Sequence, residues 1–290
     1  MLPNKNEKID KDKLETYLRD FSKTLRKQCG KEVSVNLYIV GGASILLNYD
    51  FRNTTIDVDA VIRTNASIKD AIKSVANKYD LPNNWLNSDF EKTSSFSNGL
   101  IKHSTFLRTF SNIVHIHTIK DEYLLAMKVK ACRIYKNDLS DIIGIIQSNK
   151  NLTFDDIDKA YFDLYNCEID NKELVTFLKS MFSMDSQALK TTYSFIQQYE
   201  EINAQRLRQF GSEYKNILSD INANLINKTF NIKPDLAFAL EVGNDIKNLY
   251  DEKKIQTPFQ NFFIEYLMNI GYHKQEAQRI YDLYANHPID

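Results

Sequence analysis

The chain is poor in residues that interrupt helices and in residues that cross-link small folds. Its 290 residues include only eight glycines and five prolines, so we predict a mostly helical protein with one small sheet. The three cysteines, Cys29, Cys132 and Cys167, are odd in number and follow no CxxC spacing. They predict free thiols and exclude a disulfide framework or a zinc site.

An excess of charge and a long apolar run are absent as well. The 37 basic and 38 acidic residues leave a net charge of −1, so a polyanion would have to bind a local patch. No run approaches eighteen apolar residues, and the first fifteen residues are charged and lack an apolar core. We therefore expect no membrane span, no signal peptide and a cytoplasmic location.

The stretch that is most typical of an active site covers residues 38–62, YIVGGASILLNYDFRNTTIDVDAVI. A strand predicted over residues 38–40 leads into Gly41 and Gly42, and a short apolar helix is predicted over residues 43–49. Glycines can adopt backbone angles that expose their N–H groups, and a helix N-terminus favours anions. This half of the stretch predicts a phosphate site.

The second half of the stretch predicts a metal site. A strand is predicted over residues 56–62, where alternation places Asp57 and Asp59 on one face and Ile56, Val58 and Ala60 on the other. Two neighbouring carboxylates repel each other unless a cation lies between them.

Further elements complete an α/β unit. Helices are predicted over residues 9–28 and 66–79. After the second helix we expect Trp85 and Phe90 to be buried, residues 93–98 to form a loop and residues 100–110 to form a strand. Residues 112–119, NIVHIHTI, predict another strand, in which His115 and His117 face away from Val114, Ile116 and Thr118.

A helix predicted over residues 121–135 carries a lysine within its apolar stripe. The stripe consists of Leu124, Leu125, Val129, Cys132 and Tyr135. Lys128 lies among these residues, so it either extends to the edge of the core or points into a cleft and meets an anion. The next helix begins at Asp138, which we expect to be its N-cap with Asp141 at position N3.

Beyond residue 149 the pattern is helical throughout. Helices are predicted over residues 157–165, 174–182, 189–210, 214–230 and 236–250, from Thr257-Pro258 to Gly271, and from His273 to residue 286. We predict an α+β protein with an N-terminal domain at residues 1–149 and a C-terminal helical bundle at residues 150–290.

The order of Gly41-Gly42 and the later Asp57-x-Asp59 resembles the motif of the DNA polymerase β-like nucleotidyltransferase superfamily. The run from Arg52 to Asp59 and the segment AMKVKACRIYKNDLSDI are similar to the AbiEii-like family, whose members include toxins of toxin–antitoxin systems. The resemblance covers residues 35–147. It implies a polymerase β-like domain with a small mixed sheet flanked by helices.

The resemblance also implies roles for these residues. Asp57 and Asp59 would bind Mg²⁺, or Mn²⁺ in its place, which would neutralise the triphosphate of an NTP and organise attack at the α-phosphorus. Gly41 and Gly42 would hold the phosphates.

Four other residues are assigned through the same resemblance. Arg52 and Thr55 join the glycines as nucleotide-binding residues, and Lys128 corresponds to a phosphate-contacting lysine. Asp141, and less directly Asp138, correspond to a late acidic motif that orients Lys128 or Arg52.

The sequence departs from the superfamily at its third carboxylate, which normally lies on a neighbouring strand. Residues 112–119 offer His115 there, so either the base has changed to histidine or the activity is weak or lost. Asp121 and Glu122 are alternative substitutes.

Our leading hypothesis is a Mg²⁺-dependent nucleotidyltransferase that modifies a tRNA end, another RNA or a protein. It would act as a bacterial toxin with a cognate antitoxin. The alternative is a catalytically inactive nucleotide-binding or partner-binding protein with the same fold. A purely helical scaffold would leave Asp57, Asp59 and Lys128 unexplained.

Overall fold

The computed structural model describes residues 8–133, 136–210, 236–269, 272 and 274–286. The predicted helix over residues 214–230, the helix end at Gly271, the helix start at His273 and the stripe residue Tyr135 lie outside this range. The described chain confirms the predicted α+β class, with one five-stranded mixed sheet in the N-terminal half and helices in the C-terminal half.

Helices and strands alternate in the N-terminal half. The helices are α1 (Lys11–Cys29), α2 (Gly41–Asn48), α3 (Lys69–Tyr79), α4 (Asp121–Ala131) and α5 (Asp138–Ser148). The strands are β1 (Val35–Ile39), β2 (Val58–Thr64), β3 (Leu86–Asn87), β4 (Ser104–Phe110) and β5 (Val114–Ile119).

The sheet has the strand order β3-β2-β1-β5-β4. β1 is antiparallel to β2 and parallel to β5, β3 is parallel to β2, and β4 is antiparallel to β5. The ends of β1 and β5 therefore meet the beginnings of β2 and β3 at one edge of the sheet.

The two faces of the sheet differ in what packs against them. α1 and α3 pack on the first face, where a hydrophobic core includes Val35, Leu37, Ile39, Val58, Ala60, Val114 and Ile116. By strand alternation the second face carries Asn36, Tyr38, Asp59, Val61, Arg63, His115 and His117. Most of these side chains are partly exposed, although Val61 is fully buried.

Two boundaries in the site region differ from the prediction. α2 begins at Gly41 itself, with Val40 as its N-cap. β2 begins at Val58, and Ile56, which was predicted to face the core, is 52% exposed. The chain bends at Ile56, directly after Thr55 forms an isolated bridge with Ile9, so regular alternation starts only two residues later.

Two further predictions needed correction. The first part of the predicted strand over residues 100–110 is a 3₁₀ turn, Asn98–His103, and only the rest is β4. α4 ends at Ala131, followed by Cys132 in a left-handed conformation. Every residue of α4 from Tyr123 to Val129 is buried, so α4 has no single apolar stripe.

Helices α6 to α11 follow, and no strand occurs beyond residue 149 in the described part of the chain. They are α6 (Phe154–Tyr165), α7 (Lys172–Ser183), α8 (Ser186–Phe210), α9 (Leu236–Glu252), α10 (Phe259–Asn269) and α11 (Lys274–Ala285). None of the helices in the described ranges has the length and apolar character needed to cross a membrane.

The chain divides into two compact units. The first contains residues 1–132 and 144–169, and the second contains residues 133–143 and 170–290. α6 belongs to the first unit because it packs against α4. Whether residues 1–149 and 150–290 fold as separate domains stays a prediction.

Candidate functional site

The two glycines are required by two different local constraints. Gly41 has a φ of +60°, a left-handed angle that side chains with a Cβ disfavour. A Cβ atom at Gly41 would lie 3.8 Å from Oδ2 of Asp59. The N-terminus of α2 and the Asp59 carboxylate are therefore neighbours at the edge of the sheet.

Gly42 provides room for an arginine. A Cβ atom at Gly42 would lie 2.5 Å from Nη2 of Arg52 and 3.0 Å from Oγ1 of Thr55. The guanidinium group lies directly against the first turn of α2, and its Nε donates a hydrogen bond to the carbonyl of Thr54 at 3.1 Å. This arrangement places a permanent cation beside two N–H groups that have no partner within the helix.

The loop that carries Arg52 is fixed at both ends. Ile9 and Thr55 exchange two backbone hydrogen bonds of 2.7 and 2.8 Å. The ring of Phe51 lies so close to Gly144 in α5 that a side chain at Gly144 would overlap it. The Arg52 side chain therefore projects from a loop that is held by packing on both sides.

The two predicted metal ligands lie at the start of β2, although Asp57 falls just outside the strand. Asp59 is partly buried on the second face of the sheet, and Asp57 is exposed one residue before β2. The carbonyl oxygen of Asp57 accepts a hydrogen bond from Thr55 Oγ1 at 3.1 Å. The structure thus brings together Gly41, Gly42, Arg52, Thr55, Asp57 and Asp59.

The donor set fits a hard cation. Carboxylate oxygens beside a phosphate site suit Mg²⁺, which keeps several water ligands and needs few protein ligands. Within the described ranges, no group of three or more His, Cys, Asp or Glu residues could hold a metal. Asp57 and Asp59 would therefore form a two-carboxylate site completed by water and phosphate oxygens.

The residue beside Asp59 on the neighbouring strand is Asn87. The two residues are register partners in the parallel pair of β2 and β3. The Asn87 amide donates to the carbonyl of Asn84 at 3.2 Å, and its Oδ1 accepts from the Asp89 N–H at 2.8 Å. A neutral amide that stabilises a local turn thus occupies this position, which the sequence analysis missed.

His115 does not join this group. It lies on β5, and β1 separates β5 from the strand that carries Asp59. From the register, with about 4.8 Å between strands and about 3.3 Å per residue, the Cα atoms of His115 and Asp59 are about 16 Å apart. Its Nδ1 lies 3.0 Å from Thr109 Oγ1. This position does not support a role beside the Asp59 carboxylate.

Asp121 lies at the correct edge of the sheet but is engaged in packing. Its Oδ2 accepts a hydrogen bond from Asn149 at 2.8 Å, and the Tyr49 hydroxyl also bonds to its carboxylate. Burial and this neighbouring carboxylate raise the pKa of Tyr49 well above its usual value. Asp121 thus connects the end of α2 to the end of α5, and Glu122 lines a separate polar pocket with Asn151.

Lys128 is buried. Its side chain is only 7% exposed in the last turn of α4. A buried lysine needs a partner for its charge. Whether it contacts a phosphate stays a prediction.

The start of α5 differs from the prediction. The Asp138 carboxylate does not cap the helix; it accepts hydrogen bonds from the backbone N–H and the side chain of Arg133. The N–H groups of Leu139 and Ser140 instead donate to the carboxylate of Glu200 in α8. The sequence did not predict this role for Glu200, because Glu200 lies about 60 residues from Leu139 along the chain.

Asp141 is nearly fully buried in the first turn of α5, at 2% exposure. Its backbone N–H donates to the carbonyl of Asn137, as expected for the start of a helix. Its assigned role in orienting Lys128 or Arg52 stays a prediction.

Ser44 is a second residue that the sequence analysis missed. It lies in α2, three residues after Gly41, and it is fully buried. Its hydroxyl has no hydrogen-bond partner within the described residues. A buried hydroxyl without a partner costs free energy, and such groups are uncommon in folded proteins. In the described part of the chain, Ser44 therefore carries an unsatisfied buried hydroxyl in the helix that begins at Gly41.

Comparison with known proteins agrees with the coarser part of the resemblance. Residues 16–190, more than half of the chain, match a family model described as "Nucleotidyltransferase of unknown function (DUF6036)". No curated protein and no solved structure gives a significant match. The match confirms a nucleotidyltransferase family, whereas the narrower AbiEii-like relationship stays a prediction.

Proposed function

Since the chain belongs to the family of nucleotidyltransferases of unknown function that matches residues 16–190, we propose that it transfers a nucleoside monophosphate from an NTP to an acceptor. The observation that carries this proposal is the position of Asp59. Its Oδ2 lies beside Gly41 at the N-terminus of α2, so a carboxylate able to hold a metal is next to a site able to hold phosphate.

The phosphates would bind to the first turn of α2. The N–H groups of Gly41 and Gly42 have no intrahelical partner, and the helix dipole favours an anion there. The Arg52 guanidinium lies against the same turn and can donate two parallel hydrogen bonds to phosphate oxygens.

Asp57 and Asp59 would hold the divalent cation. Mg²⁺ bound there would neutralise the triphosphate and stabilise the charge that develops during in-line displacement. Lys128 would add a cation from α4, in the role that the resemblance gives to this position. The pyrophosphate would leave from the side occupied by Arg52 and the α2 N-terminus.

The resemblance to the AbiEii-like family extends the proposal to a biological role. The acceptor would be a tRNA end, another RNA or a protein, and the modification would inhibit growth until a cognate antitoxin blocks it. Induced expression in bacteria should then arrest growth, and the Asp59→Asn variant should not. Arrest that persists in the variant would contradict this role.

The proposed activity can be tested with the full chain. Each of the four NTPs, labelled at the α-phosphate, is incubated with the protein, Mg²⁺ or Mn²⁺, and total RNA or lysate protein. The wild type should label an acceptor, while Asp57→Asn and Asp59→Asn should lose the transfer. Asp50→Asn is the matched control, because it makes the same change at a side chain that is fully exposed.

The Asn87 amide beside Asp59 favours one alternative, an inactive nucleotide-binding protein. This alternative predicts NTP binding by calorimetry that does not depend on Mg²⁺, with no transfer by the wild type. Absence of transfer with every NTP and both acceptor classes would overturn the enzymatic proposal.

A further inference from the structure

Three rings lie next to one another on the second face of the sheet. The ring of Tyr38 on β1 stacks on His117 of β5, with centroids 4.6 Å apart and planes at 25°. Phe106 of β4 contacts His117 edge-on, with centroids 5.6 Å apart. We call Tyr38, His117 and Phe106 the ring surface.

The ring surface is held in place and partly open. Nε2 of His117 donates a hydrogen bond to Oδ1 of Asn36 at 3.1 Å, which fixes the imidazole ring. Burial, and next the neighbouring His115, lower the pKa of His117 and so favour its neutral form. Phe106, on the edge strand, is 56% exposed and is one of the few large apolar side chains with that exposure in the described chain.

The ring surface extends directly from the candidate site. Tyr38 is the register partner of Val61 on β2, so it is a diagonal neighbour of Asp59 on the same face, at about 8 Å between Cα atoms. Counting strands gives about 12 Å from Asp59 to His117 and about 16 Å to Phe106. The rings thus span the length of two or three stacked nucleotides at about 3.4 Å each.

We propose that the ring surface binds the unpaired bases of a single-stranded nucleic acid whose end reaches Asp57 and Asp59. This inference rests on the function proposed above, and it identifies the acceptor as a nucleic acid. Bases stack on aromatic side chains without regard to sequence, because each base has a π face.

Few charged side chains on the strands surround the ring surface. Apart from Asp59, the charged side chain that the strands place on this face is Arg63. It is exposed, and its Nη1 lies 3.6 Å from Oε1 of Glu91. Neutral hydrogen-bonding groups on Asn36 and Thr109 flank the rings. No carboxylate on these strands would repel a phosphate backbone that follows the rings away from Asp59.

The size of the ring surface argues against a protein partner or a second copy of the chain. Large aromatic side chains bury about 150–250 Å² each when fully covered, so these three partly covered rings offer less than the roughly 800 Å² that a stable protein interface needs on each partner. The rings are also partly occupied by their contacts with one another. A stacked base needs less area, and the exposed ring of Phe106 leaves room for one.

The test measures binding apart from catalysis. Fluorescein-labelled 10-nucleotide RNA, single-stranded or in a duplex, is titrated with the full chain in the absence of NTP. The single strand should bind more tightly than the duplex, and Phe106→Ala should weaken its binding by about 5- to 100-fold. Phe162→Ala is the matched control, because Phe162 on α6 is 51% exposed and lies outside the sheet.

The outcomes separate this inference from the proposed function. The inference is overturned if Phe106→Ala binds the single strand within twofold of the wild type, or if the wild type transfers label only to protein and binds no RNA. In both cases the nucleotidyltransferase proposal can still stand. If RNA binding depends on Phe106 but no NTP is consumed, the nucleotidyltransferase proposal is overturned. The inference that the ring surface binds single-stranded nucleic acid then still stands.

Discussion

Asn87 on β3 is the register partner of Asp59 on β2, so the residue next to this carboxylate in the sheet is a neutral amide. The Cα atoms of such a pair are about 4.8 Å apart. A carboxylate at position 87 would therefore lie within reach of a cation held by Asp59.

Replacing Asn87 by aspartate should strengthen metal binding. A third carboxylate adds a favourable Coulomb term to a divalent cation, and we expect Mn²⁺ to bind at least about tenfold more tightly. The metal-free variant should be less stable because the carboxylates repel each other. Isothermal titration with Mn²⁺ measures the first effect, and thermal unfolding without metal measures the second.

The control for this variant is Asn83→Asp, which adds the same charge at an exposed position four residues earlier. An equal gain in Mn²⁺ affinity for the two variants would mean that Asn87 is not beside the cation.

Replacing Gly42 by alanine should disturb the Arg52 side chain. The new Cβ atom would lie 2.5 Å from Nη2 of Arg52, so the guanidinium must move; because it is the end of a long flexible side chain, the cost in the free energy of unfolding should be about 1 kcal/mol or less. NTP affinity should fall in parallel. Urea denaturation and calorimetry measure the two changes.

The double variant Gly42→Ala/Arg52→Ala separates steric conflict from other effects. Without the Arg52 side chain, Gly42→Ala should cost much less stability than it does in the wild type. Equal costs in both backgrounds would contradict the close packing of Arg52 on α2.

The sequence predicted the parts of the site that depend on local connectivity. Gly41, Gly42 and Asp59 lie on a short unit of strand, helix and strand, with Asp57 directly before the second strand, and such a unit returns the chain to the same edge of the sheet. The local signals were a pair of glycines, which lie at the start of α2, and a period of two, which the structure shows only from Val58 onward. The start of α2 at Gly41 was missed, and so was the bend at Ile56, which directly follows the bridge between Thr55 and Ile9.

The parts that depend on sheet order and on distant pairing were not predictable. Periodicity places His115 on the second face of the sheet but does not tell which strands neighbour β2. Asn87 sits on a strand of two residues, which is too short to give a pattern. Glu200 reaches α5 from a helix about 60 residues away, and a single sequence carries no signal for such a contact.

Replacing Ser44 by alanine should have opposite effects on stability and on binding. Its hydroxyl is buried without a partner, so its removal should raise the free energy of unfolding of the ligand-free protein by about 1 kcal/mol. NTP affinity should fall if a phosphate satisfies this group. Denaturation without ligand and calorimetry with ATP measure the two quantities.

Ser140→Ala is the control for Ser44, because Ser140 is equally buried but its hydroxyl donates to Glu200 at 2.5 Å. This variant should lose stability. A loss of stability in both variants would show that the Ser44 hydroxyl has a partner.

Replacing Glu200 by glutamine should change how stability depends on pH. Burial raises the pKa of Glu200 well above its ordinary value of 4.5, and the charges of Asp141 and Asp138 add to this effect. A group whose pKa is raised in the folded state stabilises fully below pH 4.5, and this contribution is lost as the pH rises through the folded pKa.

Glutamine does not titrate, and its side chain can still accept from the Leu139 N–H and donate to the Ser140 hydroxyl. The free energy of unfolding of Glu200→Gln, relative to the wild type, should therefore increase from pH 5 to pH 8. Urea denaturation at both pH values measures this difference, with Glu201→Gln as the control at an exposed neighbour on α8. If Glu200→Gln and Glu201→Gln show the same pH dependence, then Glu200 titrates as a solvent-exposed carboxylate and is not buried at the start of α5.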